Sequence, residues 1–451
     1  MNKSQIFSFG IPAIGAGYMY LLLSLYVMKF STDVLLIAPA IMGLIFSISR
    51  IWDAISDPLV GYLSDRTKNK FGRRRSWILA SCIPISIGFY AVFSPPENFQ
   101  GQYLIFWMAL SILTFYSAMT LFFVPHMALG AELSNDYHER SKLFGIRHIC
   151  YTIGSSISLG TIYLLINEEL SLNGDVRQLA KDQAIFAVLI MTILISLSVF
   201  KLREKTEFQG RVKANPLKAF RDVWLNPHAK LLIIVTFIEN IGSAAIATLT
   251  LYISQYVVGA PAWAPIIILA YMIPSILSVP FWLPLSTYFG KIKVWVSSMM
   301  LTAVSFGGMF FLPFISSMEE RLTLIIILAF FAGLASGCGG TIGPSVQGDV
   351  IDYDEYTTHE RKEGTYFAAW NFIFKSAYGV MLLMTGFVLQ IAGFIPNQDQ
   401  TMEVKIAMVS LYGLLPLICY TIGAILFSRF KLDEKAYSVI RKDLDMRASK
   451  K

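Results

Sequence analysis

Three charged side chains stand inside a stretch that otherwise reads as membrane. Residues 49–61, SRIWDAISDPLVG, follow the apolar LLIAPAIMGLIFSI and bring Arg50, Asp53 and Asp57 together. Asp53 and Asp57 are four residues apart and so share one face of a helix; Arg50, three before Asp53, joins that face. A charge at the bilayer centre costs about 2.5–3.5 kcal/mol even on insertion scales. Two carboxylates there call for a cation, a proton or a basic partner, and one Arg can neutralise only one of them. The hydroxyl of Ser56 would add an oxygen ligand for a monovalent cation such as Na⁺. A proton shared by the pair is the alternative, since adjacent carboxylates resist ionising together. The plainer reading is an ion pair that packs helices, with Arg50 serving the helix network.

Other polar groups lie at similar depth. Lys375, in TYFAAWNFIFKSAYGVMLLM, is too far from either end of its apolar run to snorkel; it is expected to pair with Asp53 or Asp57 across a cavity, or to form a purely structural ion pair. Glu239 and Asn240, in IIVTFIENIGSAA, suit solute or proton handling, or pairing within the bundle. Arg147 opens a span and either reaches a cavity or anchors a cytoplasmic end. His126, beside Pro125, is either a satisfied core histidine or a cavity group. Tyr18 of the first span completes the candidate cavity set.

The elements that position these groups are membrane helices. Of 451 residues, 55% are hydrophobic and 15% charged, against about 25% charged in soluble domains. A span needs about 20 apolar residues, and twelve are expected, roughly at 8–30, 35–61, 76–94, 102–130, 147–167, 183–201, 229–258, 263–288, 293–315, 321–346, 364–394 and 403–428. The fold class is therefore an all-α membrane protein of twelve transmembrane helices in two six-helix pseudo-repeats. Residues 1–201 form an N-terminal bundle, 202–228 a cytoplasmic linker, 229–428 a C-terminal bundle and 429–451 a cytoplasmic tail. The first span reads as retained and not as a cleaved signal.

Lys and Arg fix the orientation. With both termini inside, only Arg177, Lys181, Arg321 and Lys405 fall in outside loops, and Lys29, Arg50 and Lys375 in or at the end of spans; every other basic residue is cytoplasmic. This is the positive-inside pattern, so the net charge of +7 orients a membrane protein and does not imply a nucleic-acid partner. GYLSDRTKNKFGRRRSWIL (61–79) is echoed by LPLSTYFGKIKVWVSSM (283–299) at the corresponding place in the second half. In the first of these, Asp65, Arg66, Arg73, Arg74 and Arg75 are either ordinary cytoplasmic charge or a latch between spans. DVIDYDEYTTHERKEG (349–364) reads as a cytoplasmic loop whose Asp349 and Asp352 would latch against basic loops; its spacing departs from a calcium loop. No phosphate-binding Gly-Lys-Ser/Thr loop, zinc-ligand spacing or nucleophile elbow is present. ATP is thus not the expected energy source, no cofactor is called for, and the chain does not read as an enzyme. Cys82, Cys150, Cys338 and Cys419 lie far apart in apolar runs and read as small buried hydrophobes.

These motifs together resemble the glycoside–pentoside–hexuronide:cation symporters of the major facilitator superfamily. SRIWDAISDPLVGYLSDR, the HER…L…R run at 138–147, and DVIDYDEY followed by a Lys on the eleventh span carry the likeness, which extends over nearly the whole chain. The resemblance to melibiose-carrier-like members implies that Asp53 and Asp57 bind the coupling cation with Thr120 near it, Ser56 standing where an Asn is found. It implies that Arg147 contacts sugar and that Lys375 lies beside both sites. The departures are specific. Ala16-Gly17 replaces a Lys-Asp pair, Phe123 an Asp shared by cation and sugar, Met127 and Gly340 two Trp residues, and Glu239 a Tyr. The galactoside-reading residues are thus largely absent. What the resemblance implies is a monomeric, Na⁺- or H⁺-coupled carrier of a small polar solute in the bacterial inner (plasma) membrane. An amphipathic or lipid-like solute, or a sensor that binds without transporting, are the alternatives.

Overall fold

A computed structural model describes residues 3–67, 69, 71–133, 137–167, 175–202, 204, 221, 223–358, 363–432 and 434–448. Every described element is helical. In the first half these are α1 (Lys3–Gly10), α2 (Pro12–Lys29), α3 (Pro39–Arg66), α4 (Arg73–Ala80), α5 (Cys82–Phe93), α6 (Gly101–Leu133), α7 (Tyr137–Ile166) and α8 (Val176–Lys201). In the second they are α9 (Pro227–Tyr252), α10 (Ala264–Leu277), α11 (Val279–Phe289), α12 (Lys291–Gly308), α13 (Met318–Thr358), α14 (Glu363–Ile391), α15 (Met402–Val409), α16 (Leu415–Phe427) and α17 (Glu434–Ala448). Ten helical stretches among the described residues are long and apolar enough to cross a membrane, and α10 with α11, bent by 48° at Ser278, make an eleventh. The 28-residue α3 has the length of a further span but carries the five charges Arg50, Asp53, Asp57, Asp65 and Arg66 in its length.

The chain divides into two compact units, Met1–Lys213 and Ala214–Lys451. In the first, α2 packs along α7, α5 along α6 and α8, and α3 along α6. In the second, α13 packs on α10 and α12, and α9 on α14 and α16. Close packing of membrane helices depends on small residues, and here that dependence is severe. A Cβ at Gly154 of α7 would lie 1.8 Å from the Ile14 carbonyl oxygen of α2, and one at Gly17 would lie 2.2 Å from the Tyr151 carbonyl oxygen.

Both units turn their first span the same way. A π-helix, Phe30–Val34, follows α2, and another, Ile253–Val258, follows α9. Each is closed by a backbone bond to the carbonyl six residues back: Ile37 N–H donates to Ser31 O, and Ala260 N–H to Ser254 O, both at 2.9 Å. The intervening left-handed position is Leu36 (φ 56°) in one unit and Gly259 (φ 84°) in the other. The offset along the sequence is the same for all three pairs of residues.

Two expected boundaries are corrected. Residues 349–358 are no loop but the last turns of α13, since an unbroken helical run carries Asp349 and Asp352 onward with buried faces. The expected tail is also no free segment: α17 packs against α13 and places Ile440 and Leu444 in an apolar cluster with Val350, Ile351, Phe430 and Leu432.

Replacing Gly154 by Val should lower the melting temperature of the purified protein markedly, because the new side chain drives two helix backbones apart; overpacking costs typically 1–3 kcal/mol. Gly160→Ala, on the same helix with open space around its Cβ, should leave the temperature unchanged or raise it slightly.

Candidate functional site

Site geometry in the first unit is set by α3 and α6. Pro58 of α3 and Pro125 of α6 lie inside their helices; having no N–H, they leave the carbonyls of Ala54 and Leu121 without the usual helical donor. The loosened turns hold Asp53 and Asp57 on α3 and Thr120 on α6. The Thr120 hydroxyl lies 2.6 Å from Asp53 Oδ1 and 3.1 Å from Asp57 Oδ1. Ser56 Oγ donates to the Asp53 carbonyl at 3.1 Å and approaches Thr120 Oγ1 at 3.5 Å. The structure therefore brings Asp53, Asp57, Ser56 and Thr120 into one cluster. Asp53 is 1% exposed. A single hydroxyl hydrogen cannot serve two carboxylates at full strength, so the cluster is an oxygen-rich nest of the kind a hard cation or a shared proton balances.

Arg50 is held beside this nest by rings. Its guanidinium carbon lies 4.1 Å from the centroid of Tyr116 and 5.8 Å from that of Tyr20, a cation–π setting. Its Nη1 stands 4.0 Å from Asp53 Oδ2, at the long end for an ion pair. Tyr20 and Tyr116 were not among the sequence candidates, because each reads as one more aromatic in an apolar span. On the outer surface of α3, the Trp52 indole N–H donates to Ser117 Oγ at 2.9 Å and joins α3 to α6 a second time.

The remaining candidates fall in different settings. His126 is fully buried and stacked between Phe9 and Phe122, at centroid distances of 4.4 and 4.9 Å. Its Nε2 lies 3.0 Å from the Phe9 carbonyl, which can only accept, so Nε2 carries the proton. This is the core-histidine alternative. Tyr18 is buried and donates to Thr161 Oγ1 of α7 at 3.1 Å, a helix-packing bond. The Arg147 guanidinium lies over Phe123, 5.5 Å from the ring centroid. Phe123 itself packs edge-on against Tyr20, so Arg147 and Arg50 flank one aromatic group. Lys375 is half-buried on α14 of the second unit. Glu239 and Asn240 line a cavity of about 360 Å³ within that unit.

The charges of the loop regions resolve into local contacts. Glu204, unremarkable in the linker sequence, accepts the backbone N–H groups of Arg73, Arg74 and Arg75 at 2.7–2.8 Å and so caps the start of α4. Arg74 Nη1 donates to Ser64 Oγ at 2.7 Å, and Arg75 Nε to the Val199 carbonyl at 2.8 Å. Arg66 is exposed, and the Asp65 side chain lies outside the described residues. In the second unit Lys291 pairs with Asp349 at 2.7 Å. Tyr437 of α17 donates to Asp352 Oδ2 at 2.8 Å, and Arg441 stands 3.7 Å from the same oxygen. Lys291, Tyr437 and Arg441 were missed because each lies distant in sequence from the acid it meets. A further pair, Lys29 with Asp33, closes the π-helix of the first unit, where Thr32 Oγ1 also donates to Asp33 at 2.7 Å.

A family model described as MFS/sugar transport protein matches residues 8–434. The inner membrane symporter YicJ of Escherichia coli is 24% identical, over 90% of this chain and 86% of its own. The sodium-dependent lysophosphatidylcholine symporter 1-B of Danio rerio is 25% identical, over 92% and 84%. The isoprimeverose transporter of Lactiplantibacillus pentosus is 24% identical, over 96% and 89%. Among solved structures, a bacterial homologue of the human drug peptide transporters PepT1 and PepT2 superposes with a TM-score of 0.67 at 14% identity, over 95% of this chain and 98% of that one; at that identity the likeness speaks for the major facilitator fold alone.

Two outcomes test these local contacts. Glu204→Gln should destabilise the protein by about 1–3 kcal/mol, through loss of a charged acceptor at three amides, as read from its melting temperature. Burial and then the Asp352 hydrogen bond push the Tyr437 hydroxyl up to about 12, so the folded state holds this proton more tightly than the unfolded chain. Stability from this group is complete below pH 10 and falls as pH rises through 12. Tyr437→Phe should flatten that part of the stability profile, and an unchanged profile would refute the assignment.

Proposed function

Since the chain belongs to the MFS/sugar transport protein family, in the glycoside–pentoside–hexuronide:cation symporter branch of the major facilitator superfamily, we propose that Asp53, Asp57, Thr120 and Ser56 are its coupling-ion site. The protein is an integral inner-membrane transporter and not an enzyme; it moves a small solute in symport with a cation. The observation that carries the site assignment is the Thr120 hydroxyl set between the two carboxylates. Four side-chain oxygens on two helices match what Na⁺ takes from a protein, and the same carboxylate pair would take H⁺. The aromatic seat of Arg50 on Tyr116 and Tyr20 keeps its charge beside Asp53.

In this reading the ion binds first and raises the affinity for solute, and by linkage the solute raises the affinity for the ion by the same factor. Arg147 and Lys375 serve the solute and its coupling to the ion. The bundles 1–201 and 229–428 rock against each other to alternate access, and the chain works as a monomer. Lys291–Asp349 and the Tyr437–Asp352–Arg441 group act as cytoplasmic fastenings of the second bundle; Arg73, Arg74 and Arg75 with Glu204 fasten the first. The favoured solute is a sugar or glycoside, supported by the family and by the isoprimeverose relative. The lipid-like alternative draws on the lysophosphatidylcholine symporters.

Uptake into proteoliposomes under an imposed Na⁺ gradient, and separately under a pH gradient, tests the site. Asp57→Asn should abolish gradient-driven accumulation, and undiminished accumulation would sink the proposal. Thr120→Val, nearly isosteric, should weaken half-saturation by the coupling ion by roughly ten-fold, the worth of one hydroxyl contact of about 1 kcal/mol or more. The gradient that drives uptake names the ion.

A further inference from the structure

Two stripes of side chains meet between α3 and α6. On α6, Tyr116, Thr120 and Phe123 follow one another at four and three residues and so share a face. On α3, Arg50, Asp53 and Asp57 do the same at three and four. Where the stripes meet, Thr120 reaches the two carboxylates and Tyr116 faces the guanidinium. The next ring along α6 is Phe123, and the coupling-ion reading gives it no part.

A continuous line of contacts runs from the acids to Arg147. Arg50 Nη1 stands 4.0 Å from Asp53 Oδ2, and its guanidinium carbon lies 4.1 and 5.8 Å from the Tyr116 and Tyr20 centroids. Tyr20, on α2, meets Tyr116 at 6.2 Å and Phe123 at 5.4 Å, the second contact edge to face at 86°. Phe123 in turn carries the Arg147 guanidinium of α7 at 5.5 Å. An aromatic ring is negative on its face and positive at its edge, so each ring can hold a cation while its neighbour fixes its angle. Arg50 thus has two kinds of partner within reach, a carboxylate and ring faces, and the charge at Asp53 decides between them. A cation among Asp53, Asp57 and Thr120 offsets the acid, a change felt strongly at low dielectric. The guanidinium is then drawn less to Asp53 and more to the rings. Tyr20 turns with it, and Phe123, packed on Tyr20, shifts the surface on which Arg147 rests.

We propose that Tyr20 and Phe123 form an aromatic relay through which ion occupancy at Asp53 and Asp57 sets the position of Arg147. Both are positioning residues, since neither belongs to the four oxygen-bearing side chains of the nest. The proposal rests on the coupling-ion reading above and deepens it, by giving the linkage between ion and solute a physical carrier. Coupling between sites needs an element with two arrangements that each site biases; Arg50, between acid and rings, is that element.

The test places 4-fluorophenylalanine in the position of Phe123 in the full-length protein and follows its fluorine resonance. Na⁺ is titrated against choline at fixed ionic strength, and acidification is the second titrant. Thermal stabilisation by the same titrants reports ion binding independently. The ion that stabilises the protein should shift the resonance by more than its linewidth, and Asp57→Asn should abolish both effects. Arg147→Gln should displace the resonance in the ion-free protein, because the guanidinium lies against that ring. Tyr20→Leu should remove the ion-induced shift while stabilisation by the ion persists; Tyr20→Phe, which keeps the ring, should keep the shift. Melting of each variant without ion establishes that it is folded. The relay is overturned, with the ion site left standing, by an ion that stabilises without moving the resonance, by a shift that survives Asp57→Asn or Tyr20→Leu, by one lost in Tyr20→Phe, or by a resonance indifferent to Arg147→Gln. Loss of stabilisation in Tyr20→Leu would put Tyr20 in the ion site itself and overturn the relay as well. If neither titrant stabilises the wild type, or stabilisation persists in Asp57→Asn, the ion site falls and the relay with it.

Discussion

One hydroxyl between two carboxylates organises the first unit. Thr120 reaches Asp53 and Asp57 together only because α3 and α6 pack closely along their length. The turns beside both partners are loosened by Pro58 and Pro125. The aromatic seat of Arg50 on Tyr116 and Tyr20 follows from the same approach. That Arg stands 4.0 Å from Asp53 Oδ2 while its guanidinium lies against the two rings. In so low-dielectric a place, charges interact more strongly than they would in water.

The second unit solves a different problem. Its buried acid, Glu239, lines a cavity with Trp295, Asn240 and Ser298, and among the described residues no Lys, Arg or His lines it. The two units therefore carry acidic groups of different character: a pair bridged by a hydroxyl, and a single acid in the wall of a cavity.

Much of the architecture was legible because a bilayer leaves the chain few choices. Backbone groups in lipid must be satisfied within each segment, so long apolar runs could only be helices, and the Asp53/Asp57 spacing could only place both on one face. Thr120 entered through the family resemblance; from spacing alone it is one more threonine in an apolar run. Glu204 was hidden because its value lies in three backbone amides far away in the chain, which no side-chain pattern announces. The Asp349 and Asp352 segment looked like a loop from its charge, yet burial against α17 and pairing with Lys291, Tyr437 and Arg441 let it stay helical. Likewise His126 carried no signal in its own neighbourhood that Phe9 and Phe122 would enclose it.

The matched ends of the first span in each unit bear on how alike the halves are. Ser31 and Ser254 accept equivalent closing bonds, so the backbone geometry is matched where the side chains around it differ. The difference is not neutral at one position. Gly259 takes its left-handed conformation freely, whereas Leu36 adopts the same region at a cost of about 1–2 kcal/mol. The two first spans thus share a backbone shape but not an energy: one ends in a sprung turn and the other in a relaxed one, a difference set by a single residue.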